Sequence, residues 1–106
     1  KVVLLDCLSG FVSNLLLQKG EQAERATLTA VAELLESIRE AANTVIVVSN
    51  EVGNGVVPPY PLGRHYRDML GLANQKVASA ADAVSLLTVG IPQTLKGTFP
   101  EVQLDA

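Results

Sequence analysis

The chain has 106 residues, 48% of them apolar and 18% charged, with a net charge of −3. That balance fits one small folded domain and excludes a disordered tail. An acidic pI of about 5.0 argues against a nucleic-acid-binding surface, and no apolar run reaches the roughly 18 residues that a membrane span needs.

Lys1 is followed at once by the continuous apolar run Val2-Val3-Leu4-Leu5, which ends in Asp6. Continuous runs suit strands buried on both faces of a parallel sheet. Phe11 to Leu17 predicts a short apolar helix capped by Ser9, and Gln18 to Glu21 a polar break. Leu28, Val31, Leu34, Leu35, Ile38 and Ala42 recur at spacings of three and four, which is one face of an amphipathic helix that stops near Asn43. Thr44 to Ser49 is a second strand rich in β-branched residues. Asn50 to Pro61 is a loop punctuated by Gly53, Gly55, Pro58 and Pro59.

A third helix is expected over 62–81, with Met69, Leu72, Ala73, Val77, Ala80 and Ala81 inside. Gly71 costs that helix about 1 kcal/mol relative to Ala, which close packing would explain. Val84 to Val89 is a third strand, and 90–96 a short edge strand before a loose tail.

Strands alternating with helices imply an α/β domain, a mostly parallel sheet flanked by helices. Three or four strands are few for such a sheet, so residues 1–106 are expected to be one domain that continues upstream. The single cysteine, Cys7, closes no internal disulfide. With no secretory pattern at the first residues, the expected compartment is the cytoplasm.

In open α/β sheets ligands collect at the carboxyl ends of strands, which picks out Asp6-Cys7, Ser49-Asn50-Glu51 and Gly90-Ile91-Pro92. Asp6 can accept hydrogen bonds from a ligand or hold Mg²⁺ through its carboxylate, the alternative being a cap or turn acid. Asn50 and Glu51 can orient a substrate hydroxyl or a metal-bound water, or simply bond the loop. Gly53-Asn54-Gly55 offers bare backbone to a ligand, or only a turn. Arg64, His65 and Arg67 crowd the start of the third helix, where cations oppose the macrodipole. A bound anion would explain them; so would a solvated face or a subunit contact. Cys7 is read as a small core residue. The chain contains neither G-x-x-x-x-G-K-[ST] nor G-x-G-x-x-G, so it carries no phosphate-cradling loop of its own.

Three segments together resemble one family. They are Val3 to Leu8 with Val12-Ser13-Asn14-Leu15-Leu16, then Val47-Val48-Ser49-Asn50-Glu51-Val52-Gly53-Asn54-Gly55-Val56-Val57-Pro58. The third is Arg64-His65-Tyr66-Arg67-Asp68-Met69-Leu70-Gly71 with Asn74-Gln75 and Ala78 to Asp82; Gly90-Ile91-Pro92 and Leu95-Lys96 follow in order. The chain resembles the bifunctional adenosylcobinamide kinase / adenosylcobinamide-phosphate guanylyltransferases of cobalamin biosynthesis over residues 2–96.

The resemblance implies a RecA-like P-loop nucleotide-binding fold, assembled as a homotrimer. It implies phosphorylation of adenosylcobinamide by ATP or GTP with Mg²⁺, then transfer of GMP from GTP through a guanylylated histidine, giving adenosylcobinamide-GDP. These nucleotides are substrates; no tightly bound cofactor and no protein metal site is expected. The family's Walker-A loop and its histidine fall upstream of Lys1, and His65 does not match that histidine. The chain therefore corresponds to the C-terminal two-thirds of the family domain, carries no catalytic residue of its own, and is expected to be inactive alone. Asp6 falls where the family has an acid that contacts the guanine nucleotide. Asn50, Glu51, Gly53 and Gly55 match the loop motif and, with Arg64 and Arg67, are candidates for positioning substrate. The alternatives are a non-catalytic α/β interaction domain and a different P-loop kinase.

Overall fold

A computed structural model describes residues 2–53 and 58–99. In chain order it has β1 (Val2–Asp6), α1 (Leu8–Lys19), a 3₁₀ turn (Gly20–Gln22), α2 (Ala23–Glu40), β2 (Thr44–Val48), α3 (Pro61–Ala80), β3 (Val84–Thr88) and β4 (Ile91–Lys96). The expected elements are all present.

The first helix is longer than its apolar stretch, and its cap differs from expectation. Cys7 is the N-cap, its Sγ accepting from the Gly10 N–H at 3.4 Å, while Ser9 sits inside the first turn with its hydroxyl aimed elsewhere. Cys7 is half-buried and belongs to no core cluster. In α2 the buried row is Ala23, Thr27 and Val31, with Leu34 and Leu35 partly covered. The buried stripe thus begins a turn before the expected face, and Ala42 lies beyond the helix end. In α3 Met69, Leu70 and Ala73 are buried, Leu72 and Val77 partly so, and Ala80 is exposed. A Cβ on Gly71 would meet nothing within 4 Å, so close packing does not account for that glycine.

The core lies among the three helices, built from Leu8, Val12 and Leu16 of α1, Ala23 and Val31 of α2, and Met69, Leu70 and Ala73 of α3. Leu8, Val12 and Leu16 are four apart, as are Ala23, buried Thr27 and Val31, and Ala73 follows Met69 and Leu70 by four and three, which keeps each set on one side of a cylinder with 3.6 residues per turn.

The sheet departs from the expected single, mostly parallel one. β1 pairs parallel with β2 in the register Val2 to Thr44 through Asp6 to Val48. β3 and β4 form a separate antiparallel pair, and β2 and β3 do not bond to each other. Strands buried on both faces are not found either: Val2, Val3 and Leu4 are exposed, and β2 alternates between half-buried Val45 and Val47 and exposed Ile46 and Val48. The reason is geometric. Val47 and Val52 reach the helical core, while the opposite face of the β1–β2 pair packs on none of the described residues in that core.

A groove of about 860 Å³ separates β2 from β3, with Val45 and Val47 on one wall and Val77, Ala78 and Val84 on the other. The hairpin is fastened to α3 by Lys96, whose Nζ donates to the carbonyls of Ala78 and Ser79 at 3.1 and 3.0 Å. A cation on the last carbonyls of a helix satisfies groups with no intrahelical partner and complements the dipole.

Candidate functional site

Parallel pairing of β1 with β2 brings their carboxyl ends side by side, because Asp6 and Val48 are register partners. Asp6 is exposed at that end, and the loop carrying Ser49, Asn50, Glu51 and Gly53 leaves the neighbouring strand. Two of the three strand ends marked in the sequence therefore meet. The third does not: Gly90 lies in the hairpin turn of the other sheet.

A chain of hydrogen bonds ties this end of the sheet to two helices. Ser9 of α1, nearly buried, donates to Asn50 Oδ1 at 2.7 Å and lies 3.1 Å from Cys7 Sγ. Its hydroxyl has one proton for two acceptors, so only one of them receives it at a time. From α3, Asn74 Nδ2 donates to the Asn50 carbonyl at 2.9 Å, and Asn74 Oδ1 accepts from Ser49 Oγ at 2.5 Å.

The Glu51 carboxylate turns back to accept the Gly53 N–H at 2.6 Å. A Cβ on Gly53 would come within 2.8 Å of that same oxygen, so glycine is what lets the carboxylate lie over its own loop. Arg67 donates to the Gly53 carbonyl, and Arg64 to that of Pro58 at 3.2 Å. The cations at the start of α3 thus have a reason that overrides the dipole: they hold the loop by its carbonyls. Gly55, a candidate in the sequence, lies outside the described residues.

Hydrogen bonding from Ser9, and after it from the Gly10 N–H, holds the Cys7 thiol below its ordinary value, against desolvation and the neighbouring Asp6 charge. Both favourable groups stabilise a thiolate at the start of a helix. Among the described residues, no group of three or more His, Cys, Asp or Glu side chains gathers to hold a metal ion.

The sequence marks Asp6, Asn50, Glu51, Arg64 and Arg67 as candidates, but Ser9 only as a helix cap, Ser49 only as a strand end, and Asn74 only as part of the family motif. A signal for one of them was present. Arg64, Arg67 and Asn74 are spaced by three and seven residues, which puts them on one face of a helix.

What remains is kinship. The family model described as cobinamide kinase / cobinamide phosphate guanyltransferase matches residues 1–95. The chain is 36% identical over 106 residues to the bifunctional adenosylcobalamin biosynthesis protein CobU of Escherichia coli (strain K12), covering 91% of this chain and 59% of that protein. It is 36% identical over 104 residues to CobU of Salmonella typhimurium (89% and 58% covered). Identity to CobP of Pseudomonas aeruginosa is 38% over 97 residues (92% and 54%). The chain spans less than three-fifths of the length of these relatives. With a family model covering nearly the whole sequence and the motif loop standing where β1 and β2 end together, the chain belongs to the cobinamide kinase / cobinamide phosphate guanyltransferase family.

Proposed function

We propose that this chain forms part of a cobalamin-biosynthesis enzyme that phosphorylates adenosylcobinamide with ATP or GTP and then transfers GMP from GTP to the product. The observation that carries this reading is the meeting of Asp6 with the Asn50–Glu51 loop at the carboxyl ends of two parallel strands, in a chain of this family. The nucleotide arrives with Mg²⁺ as substrate. Asp6 accepts hydrogen bonds from it. Asn50, Glu51, Gly53 and Gly55 position the corrinoid or the transferred phosphate, and Arg64 and Arg67 act through the loop they hold.

The proposed architecture is a RecA-like P-loop domain, its phosphate cradle lying outside residues 1–106, in a cytoplasmic homotrimer. Phosphate affinity in P-loop proteins comes mainly from a backbone N–H cradle and its Lys, so residues 1–106 alone are inactive in both steps.

The test uses the intact protein with adenosylcobinamide and γ-labelled ATP or GTP, followed by α-labelled GTP. The reading expects γ-label in the corrinoid, then α-label joined to it with release of pyrophosphate. Phosphorylation without GMP transfer would indicate a different P-loop kinase. No transfer by the folded protein would leave a non-catalytic interaction domain.

A further inference from the structure

Asn74 grips two consecutive residues with one amide: its Nδ2 holds the Asn50 carbonyl and its Oδ1 receives the Ser49 hydroxyl. Reversing the amide would set oxygen against the Asn50 carbonyl oxygen. The support behind it is rigid, because Leu70 lies one turn earlier on α3 and Ala73 precedes it, both buried in the helical core. Asn50 is held a second time through its side chain, by Ser9 of α1. The residue before Glu51 is therefore fixed from two helices. Glu51 itself is folded onto Gly53, whose carbonyl is held by Arg67. The exposed acid Glu51 is thereby clamped on both sides, with half-buried Val52 packed on the core behind it.

We propose that Asn74 is a positioning residue, holding Asn50 and Glu51 at the end of β2 for the acceptor substrate. The inference rests on the phosphoryl- and guanylyl-transfer reading above. Asn74 acts through Asn50 and touches no reacting atom. Side chains that fix reacting groups from a rigid element control turnover more than affinity for a ligand bound elsewhere.

The decisive variant is Asn74→Asp in the intact protein. It keeps the shape and the acceptor for Ser49 but replaces the donor to Asn50 with a second oxygen. Turnover with adenosylcobinamide should fall about tenfold to a hundredfold, while KM for the nucleotide stays within about twofold. Ser49→Ala removes one of the two links and should give a smaller loss of the same kind. Hydrogen exchange of the 50–53 amides should quicken in Asn74→Asp, with the core of α3 unchanged.

Wild-type turnover in Asn74→Asp, or a loss matched by an equal loss of nucleotide affinity, would overturn the proposal. So would unchanged exchange across 50–53. If Asn74→Asp does not fold, Ser49→Ala decides on the same readouts. If the wild-type protein transfers no phosphate, the functional reading fails separately, and the exchange measurement alone decides whether Asn74 holds the loop.

Discussion

Thr27 puts a hydroxyl in the helical core, fully buried and, among the described residues, without a hydrogen-bond partner. An unpaired buried polar group costs about 1–3 kcal/mol. Thr27→Val keeps the branched shape and removes that group, so urea unfolding should show a gain of about 1 kcal/mol. A loss would mean that the hydroxyl has a partner. The position escaped the sequence reading because Thr carries no apolar mark, and the periodic face began at Leu28. The sequence points to Ser9 as the cap and to Cys7 as core, whereas Cys7 caps the helix, for a related reason. Either residue can cap a helix, and the choice is set by where Asn50 stands 41 positions later. The candidate site was legible where type and place coincide, as with Asp6, Asn50 and Glu51 at strand ends. It was not legible where a common polar side chain acquires its role from a distant partner, as Asn74 does.

At the scale of elements, the β3–β4 hairpin carries an identifiable conflict. Its two-residue loop, Val89-Gly90, has φ of 48° and 77°. Tight hairpins favour such positive values, which Asn and Gly adopt readily and β-branched residues do not. Val89 is 90% exposed, so its side chain gains little packing in return. A non-glycine residue held there costs about 1–3 kcal/mol. Val89→Asn should therefore stabilise the protein by about 1 kcal/mol, read by chemical denaturation; destabilisation would mean that the side chain is packed in the assembled protein. Elements and their order follow directly from apolar periodicity and from the Gly and Pro punctuation around Asn50 to Pro61. Pairing does not. Residues 84–89 read equally well as a parallel or an antiparallel strand, and what makes β3 half of a hairpin is the two-residue connection to β4, which only an antiparallel neighbour accepts.

Across the whole molecule, apolar side chains remain on the strands: Val2, Val3 and Leu4 on β1, Ile46 and Val48 on β2, and Leu87, Ile91 and Leu95 on the hairpin. Continuous apolar strands suit burial on both faces, and the described residues cover them only in part. Where exposed apolar residues adjoin, as Leu4 and Ile46 do as register partners, such surface marks contacts with other protein. On α3 and on Phe11 to Leu17 less apolar surface is left: Leu17 and Leu62 are exposed, while most of the remaining apolar residues there are at least half-buried. Light scattering of the intact protein at tens of micromolar should give the mass of three chains, and a monomer would contradict the proposed assembly. The central claim, that the shared end of β1 and β2 binds the nucleotide, is tested most directly by equilibrium binding of Mg-GTP to the intact wild type and to Asp6→Asn. Losing a hydrogen bond to a charged group costs about 1.5–3 kcal/mol, so affinity should fall about tenfold to a hundredfold. Unchanged affinity together with unchanged turnover would remove Asp6 from the site and contradict the account.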